Sequence, residues 1–389
     1  VTPAAGLDAD RYTFPPKASR RSVLHAGLAL ACSFPAAALA QNVKSAGELA
    51  VFQIADMSAA QQDVSKDFLN GSRAAWQEIN SRGGLRGKKV QHTIIETDGS
   101  ASSVKNAVQS AYIDPSCLAL FGSVGDPLAQ IVAQQLAGGN WRMAHIAPCL
   151  QSSAYDADGR TFSIFANRLQ QVEHALKSLA TVGMTEIGAV YAGATELALY
   201  RNDIERSAAA LKLRVRHFPP SSDLAQVGQQ MTSQTPAILL FLGGTPELAQ
   251  FTNGLEAQSR QRFVVAMADV NLQTLQQMGS GRKTPVIATQ VVPVVTSSAP
   301  VARNFRDSLA RFFDEPPTSQ GLAGYIAARV AFELLDSPEG SPTRASLLAA
   351  SQRVSKLDIG GFQISLTGQQ RTSSYVTQSM LTAEGRVVG

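Results

Sequence analysis

Two short stretches of the sequence share an order of residue types that could hold a ligand. One is Phe121-Gly-Ser-Val-Gly-Asp-Pro-Leu-Ala-Gln130; the other is Phe241-Leu-Gly-Gly-Thr-Pro-Glu-Leu-Ala-Gln250. Each reads as a buried strand, a glycine turn, a polar N-cap, a proline at the first helical position and then a helix. Asp126 and Thr245 are the expected caps, and Pro127 and Pro246 open the helices. In open α/β sheets, ligands gather at the carboxyl ends of strands, where helix N-termini point unpaired N–H groups outward. Taken singly, each turn is ordinary. As a pair they predict the two rims of one cleft, with Ser123, Gly125 and Asp126 on one rim and Thr245 on the other. The chemistry on offer is non-covalent recognition.

Catalytic patterns do not compete with that reading. The sequence has no His-Glu-x-x-His, no Gly-x-Ser-x-Gly and no cluster of Cys and His. His92, His145, His174 and His217 are far apart and fall on different predicted elements, where a structural or surface role is expected. Gly279-Ser-Gly-Arg-Lys-Thr284 lacks the Gly-Lys-Ser/Thr order of a phosphate loop. No catalytic residue, metal site or cofactor is expected.

The elements that must position these turns are legible as alternation. Leu49–Ile54 reads as a strand, and Val64–Ser81 as a helix with Phe68, Leu69, Trp76 and Ile79 on one face, stopped by Gly83-Gly84. Strands at 90–97, 118–121 and 144–146 follow, with helices at 102–110 and 128–136 between them. A second series begins near Leu169, with strands at 187–191, 214–218, 237–242 and 263–267. Such repetition predicts parallel sheets covered on both faces. The fold class expected is α/β: two doubly wound lobes joined by a multi-strand hinge, which suits closure about a ligand. The expected segments are 41–163 for lobe 1, 164–291 for lobe 2, 292–355 as a helical return to lobe 1, and 356–389 as a lobe 2 tail.

The first forty residues read differently. Arg20 and Arg21 precede an apolar run, Val23–Cys32, and Ala38-Leu-Ala40 supplies small residues for cleavage after Ala40. This is the layout of a secretory signal peptide, too short to span a membrane. The Ser-Arg-Arg start resembles a twin-arginine signal. Cys32 offers a lipoprotein alternative, ranked lower because Ala29 stands where a leucine is preferred. The expected location is the periplasm. Removing this leader leaves about 349 residues, more than one core usually holds. Its four basic and two acidic residues account for half of the formal +4, leaving about +2. Nothing interleaves Lys/Arg clusters with aromatics, so nucleic acid is not an expected partner. Cys117 and Cys149 are too few for a disulfide framework.

Phe68-Leu-Asn-Gly-Ser-Arg-Ala-Ala-Trp-Gln-Glu-Ile-Asn-Ser-Arg-Gly-Gly-Leu-Arg-Gly-Lys-Lys-Val90 resembles the first helix and turn of type I periplasmic solute-binding proteins. That is the leucine/isoleucine/valine-binding class that serves ABC transporters. Glu96-Thr-Asp98, Val291-Val-Pro293 and Gly324-Tyr-Ile-Ala-Ala-Arg329 resemble further landmarks, over about residues 47–388. The resemblance implies a monomer that closes on a small-molecule solute and delivers it to a membrane permease. By motif position, Asp126 stands where the family has a Ser or Thr for the ligand carboxylate. Cys149 and Gln151 match groups after the fourth strand, Glu196 stands where an aromatic is usual, and Asp269 matches the acid that meets the ligand ammonium. An acid at position 126 would repel a carboxylate. The expected function is therefore substrate binding for an ABC importer, with a small polar solute such as an amino acid or related compound. The alternative is a sensor of the same fold that reports to a receptor or regulator.

Overall fold

A computed structural model describes residues 49–279, 283–364 and 375–389. The expected leader, with Arg20, Arg21, Cys32 and Ala40, lies outside the described residues, as does the middle of the 279–284 loop. Residues 45–389 form one compact unit, built as two α/β lobes.

The first lobe runs β1 (Leu49–Asp56), α1 (Gln62–Ser81), β2 (Val90–Thr97), α2 (Ala101–Ile113), β3 (Cys117–Phe121), α3 (Asp126–Gly138), β4 (His145–Ile146) and β5 (Thr161–Phe162). Its strands form a parallel five-stranded sheet in the order β2-β1-β3-β4-β5. The second lobe runs α4 (Arg168–Thr181), β6 (Glu186–Tyr191), α5 (Ala194–Ala210), β7 (Arg214–Phe218), α6 (Leu224–Gln229), β8 (Ile238–Leu242), α7 (Thr245–Glu256), β9 (Phe263–Ala266), α8 (Leu272–Gln277) and β10 (Val286–Gln290). The chain then adds α9 (Pro300–Phe312), α10 (Ser319–Asp336), α11 (Arg344–Arg353), β11 (Leu357–Ile359), β12 (Phe362–Ile364), β13 (Thr377–Leu381) and β14 (Val387–Val388). The second sheet has seven strands, β14-β13-β10-β9-β8-β6-β7, antiparallel only at β13 and β14.

Both sheets are covered on both faces, which is why their strands read as continuous apolar runs. In the first lobe, Phe68, Trp76, Phe305 and Ile326 from α1, α9 and α10 bury one face. Val104, Val108, Leu128 and Val132 from α2 and α3 bury the other. In the second, Phe251 and Leu275 from α7 and α8 lie on one side and Val172, Leu176 and Ile204 from α4 and α5 on the other.

Two backbone features fix the cleft-facing helices. Helix α1 stops where Gly83 and Gly84 take positive φ, and a Cβ on Gly84 would stand 2.1 Å from the Lys88 carbonyl oxygen. Helices α1 and α10 cross in contact at glycines. A Cβ on Gly71 would stand 1.7 Å from the Gly321 oxygen, and one on Gly324 would stand 1.9 Å from the Phe68 oxygen. The resemblance had singled out both segments; their glycines are there because the two backbones touch.

The C-terminal segment departs from expectation. Residues 356–389 were expected to belong wholly to the second lobe. Instead Ile359, Phe362 and Ile364 of the β11–β12 hairpin are buried in the first lobe's core, and only β13 and β14 join the second sheet. The hairpin's alternating apolar residues need one buried face, and the side of the first sheet covered by α9 and α10 supplies it. Strand β5 was not expected, being only two residues long.

Candidate functional site

The carboxyl ends of both sheets face a common cleft, and five polar side chains converge there. Asp126 and Gln151 come from the first lobe; Arg168, Tyr200 and Asp269 come from the second. Asp126 is the first residue of α3, and its Oδ2 accepts from the Arg168 guanidinium at 2.7 Å and from the Gln130 amide at 3.0 Å. Its Oδ1 accepts the Gln151 backbone N–H at 2.7 Å. The Gln151 side-chain amide donates across the cleft to Asp269. The Tyr200 hydroxyl donates to Gln151 Oε1 at 3.4 Å, and its ring lies 5.0 Å from the Arg168 guanidinium carbon.

Burial shapes the electrostatics. The Asp269 carboxyl is raised to about 7 by burial and then by the nearby Asp126 charge, against the opposing effects of Arg168 and the Gln151 hydrogen bond. Burial likewise pushes the Tyr200 hydroxyl up, so it stays protonated at neutral pH. Arg168 loses to burial and regains more from Tyr200 and Asp126, ending above its usual value. The Arg168–Asp126 ion pair is about one-tenth exposed on each side, and Arg168 Nε is buried without a protein partner.

Two chambers meet at these residues. The inner one, about 40 Å³, is walled mainly by Val64, Phe68, Leu150, Phe165 and Ala323, with Cys149 and Gln151 among its polar lining. The outer one, about 430 Å³, takes in Arg168, Glu196 and Tyr200. Asp126 and Asp269 border both. Further pairs tie the lobes together: Asn271 Nδ2 donates to Asp67 Oδ2 at 2.8 Å, and Gln320 Nε2 donates to the Val270 carbonyl at 3.1 Å.

The structure gathers most, but not all, of the residues expected from sequence. Gly125, Asp126, Cys149, Gln151, Glu196 and Asp269 border one chamber or both. Ser123 does not; it is fully buried and its hydroxyl pairs with His145 Nε2 at 2.9 Å. Thr245 does not either; it is 1 % exposed and accepts the Asn271 N–H at 3.0 Å. The expected caps are also corrected. Gly125 and Gly244 hold the N-cap positions, with no side-chain cap bond at either helix. Proline in the first turn removes one of the N–H groups a side chain would have capped. Gly125 has φ 100°, and a Cβ there would stand 2.9 Å from the Asp56 Cβ.

Sequence reasoning passed over Arg168, Tyr200 and Gln171. A signal existed for Arg168: Asn167 and Gln170 form a capping box at the start of α4. That box marks a helix N-terminus directly after β5, where a ligand-facing residue is expected. Gln171 is fully buried; its Oε1 accepts the Ala268 N–H at 3.0 Å and its Nε2 donates to the Ala166 carbonyl at 3.3 Å.

The profile of the periplasmic binding protein family matches residues 51–383. The chain belongs to that family. Among the described residues no three His, Cys, Asp or Glu side chains are arranged to hold a metal ion. Solved structures agree on the fold. An extracellular ligand-binding receptor from Verminephrobacter eiseniae superposes with TM-score 0.78 at 18% identity, covering 88% of this chain and 100% of its own. A substrate-binding periplasmic protein from Ralstonia solanacearum gives 0.76 at 21%, covering 88% and 99%. The branched-chain amino acid transporter substrate binding protein LivJ from Streptococcus pneumoniae, in complex with isoleucine, gives 0.74 at 13%, covering 88% and 98%. No curated protein sequence matches the chain.

Proposed function

We propose that this binding protein is the periplasmic substrate-binding component of an ABC importer. It takes a small polar solute, an amino acid or a related compound, into the cleft between its lobes and presents it to a membrane permease. One observation carries the reading: hydrogen-bonding side chains from both lobes converge on one cleft, at Asp126, Gln151, Arg168, Tyr200 and Asp269. A ligand touching groups on both lobes favours the closed arrangement in proportion to its differential affinity, and a permease can read that difference. The ligand roles proposed for Gly125, Asp126, Cys149, Gln151, Glu196 and Asp269 are supported by their place on the chamber walls. Export through the Arg20-Arg21 leader, and action as a monomer, complete the proposal.

The test is thermal unfolding of the purified protein against amino acids, amines, amides and aromatic acids. A ligand at 100 times its dissociation constant stabilises by about 2.7 kcal/mol. Stabilisation by one chemical class supports the reading. No stabilisation by any class overturns solute binding.

A further inference from the structure

Asp126 already fills, with its own carboxylate, the donors that an incoming carboxylate would need. One oxygen holds the Gln151 backbone N–H at 2.7 Å, and the other holds the Arg168 guanidinium at 2.7 Å and the Gln130 amide at 3.0 Å. The anion also sits in the first turn of α3, where the helix dipole favours it. Across the cleft, Asp269 meets the Gln151 side-chain amide, a neutral donor. Glu196 adds a third carboxylate to the outer chamber. The outer chamber thus faces three acids and one guanidinium, that guanidinium is paired, and the two acids that border both chambers are Asp126 and Asp269. Beside Asp269 the inner chamber is walled by Val64, Phe68, Phe165 and Ala323.

Resting on the solute-binding reading, we propose that the cleft selects an organic amine that bears an apolar substituent and no carboxylate. The ammonium meets Asp269. The apolar part lies toward Phe68 and Phe165. The carboxylate that an amino acid would bring is supplied by the protein itself, as Asp126. A second carboxylate placed beside Asp126 meets a like charge in a desolvated site, and that juxtaposition disfavours its binding. Burial of Asp269 without a full cationic partner acts in the same direction, because an arriving ammonium relieves it.

The test uses two matched triads on the purified protein, by titration calorimetry. The first is leucine, isopentylamine and isocaproate; the second is phenylalanine, phenethylamine and hydrocinnamate. Within a triad the body is shared, and only the carboxylate and amine differ. At least one amine is expected to bind more tightly than its amino acid by about tenfold or more, and more tightly than its acid. Asp269→Asn should weaken that amine by about tenfold or more. Asp126→Ser should shift preference toward the amino acid, and Asp126→Asn, which keeps the shape, should shift it the same way. The wild-type comparison stands even if both variants at 126 fold poorly. If in neither triad the amine binds more tightly than its amino acid and its acid, the proposal is overturned, and an amino acid or acid that binds as tightly makes Arg168 an anion receptor through its unpartnered Nε; the solute-binding reading then survives. Binding of neither amine also overturns it. If the broad panel is silent as well, the solute-binding reading falls with it.

Discussion

The turns at 122–127 and 243–246 follow the same local rule and end in different roles. Each leads from a buried strand through glycine to a proline-started helix at the cleft side of its sheet. In the first lobe the residue before proline is Asp126, which reaches across the cleft to Arg168. In the second it is Thr245, which turns inward and accepts the Asn271 N–H at 3.0 Å. Asn271 in turn donates to Asp67 of the first lobe. One turn therefore contributes a charge to the cleft directly, and the other positions a side chain that ties the lobes behind it. The backbone decides where such a residue sits; the donors within reach decide what it does.

Four substitutions test that contrast. Asp126→Ala leaves Arg168 a buried cation without its partner and should destabilise by about 2–4 kcal/mol, measured by urea unfolding. Asp269→Asn should act in the opposite sense. The Asp269 carboxyl is raised from 3.8 to about 7, so the folded state holds a proton more firmly than the unfolded state. Its charge therefore costs stability above about pH 7, and the cost fades as pH falls toward 4. The variant should gain about 1–3 kcal/mol at pH 8 and nothing at pH 4, seen as the difference between two pH–stability curves. Asp126, Arg168, Glu196, Tyr200 and Gln151 all face this group, so the curve should move when Asp126 is neutralised. Thr245→Val removes one buried acceptor and should cost about 1–2 kcal/mol, with little change in any ligand's affinity. If affinity falls as much as in Asp126→Ala, the two turns are not different in kind. Glu196→Gln, on the outer wall, should change stability by less than about 0.5 kcal/mol.

The alternation of strand and helix was legible because buried parallel strands leave uninterrupted apolar runs, as at Leu118–Phe121 and Leu239–Leu242. The cleft's position followed from the paired turns. What sequence could not supply was the direction of a side chain at a helix start. Asp126 and Thr245 both looked like caps, yet glycine holds each cap and the side chains go to partners 42 and 26 residues away. Ser123 looked available and is consumed by His145, whose burial pushes its imidazole down to about 3. Tyr200 sits mid-helix among apolar neighbours and reads as core; its hydroxyl gives it a second role. The 356–389 segment divided between lobes because β11–β12 is too short to announce which sheet it follows.

The pairs Asp126–Arg168 and Gln151–Asp269 stand where the two chambers meet, so a solute that passes from the outer chamber into the inner one must part them. Capture by that route follows a gate. Under excess ligand, the observed rate of binding should rise with concentration and then level off at the rate at which the pairs separate. Release passes the same gate, which gives residence time a component set by the protein's own bonds.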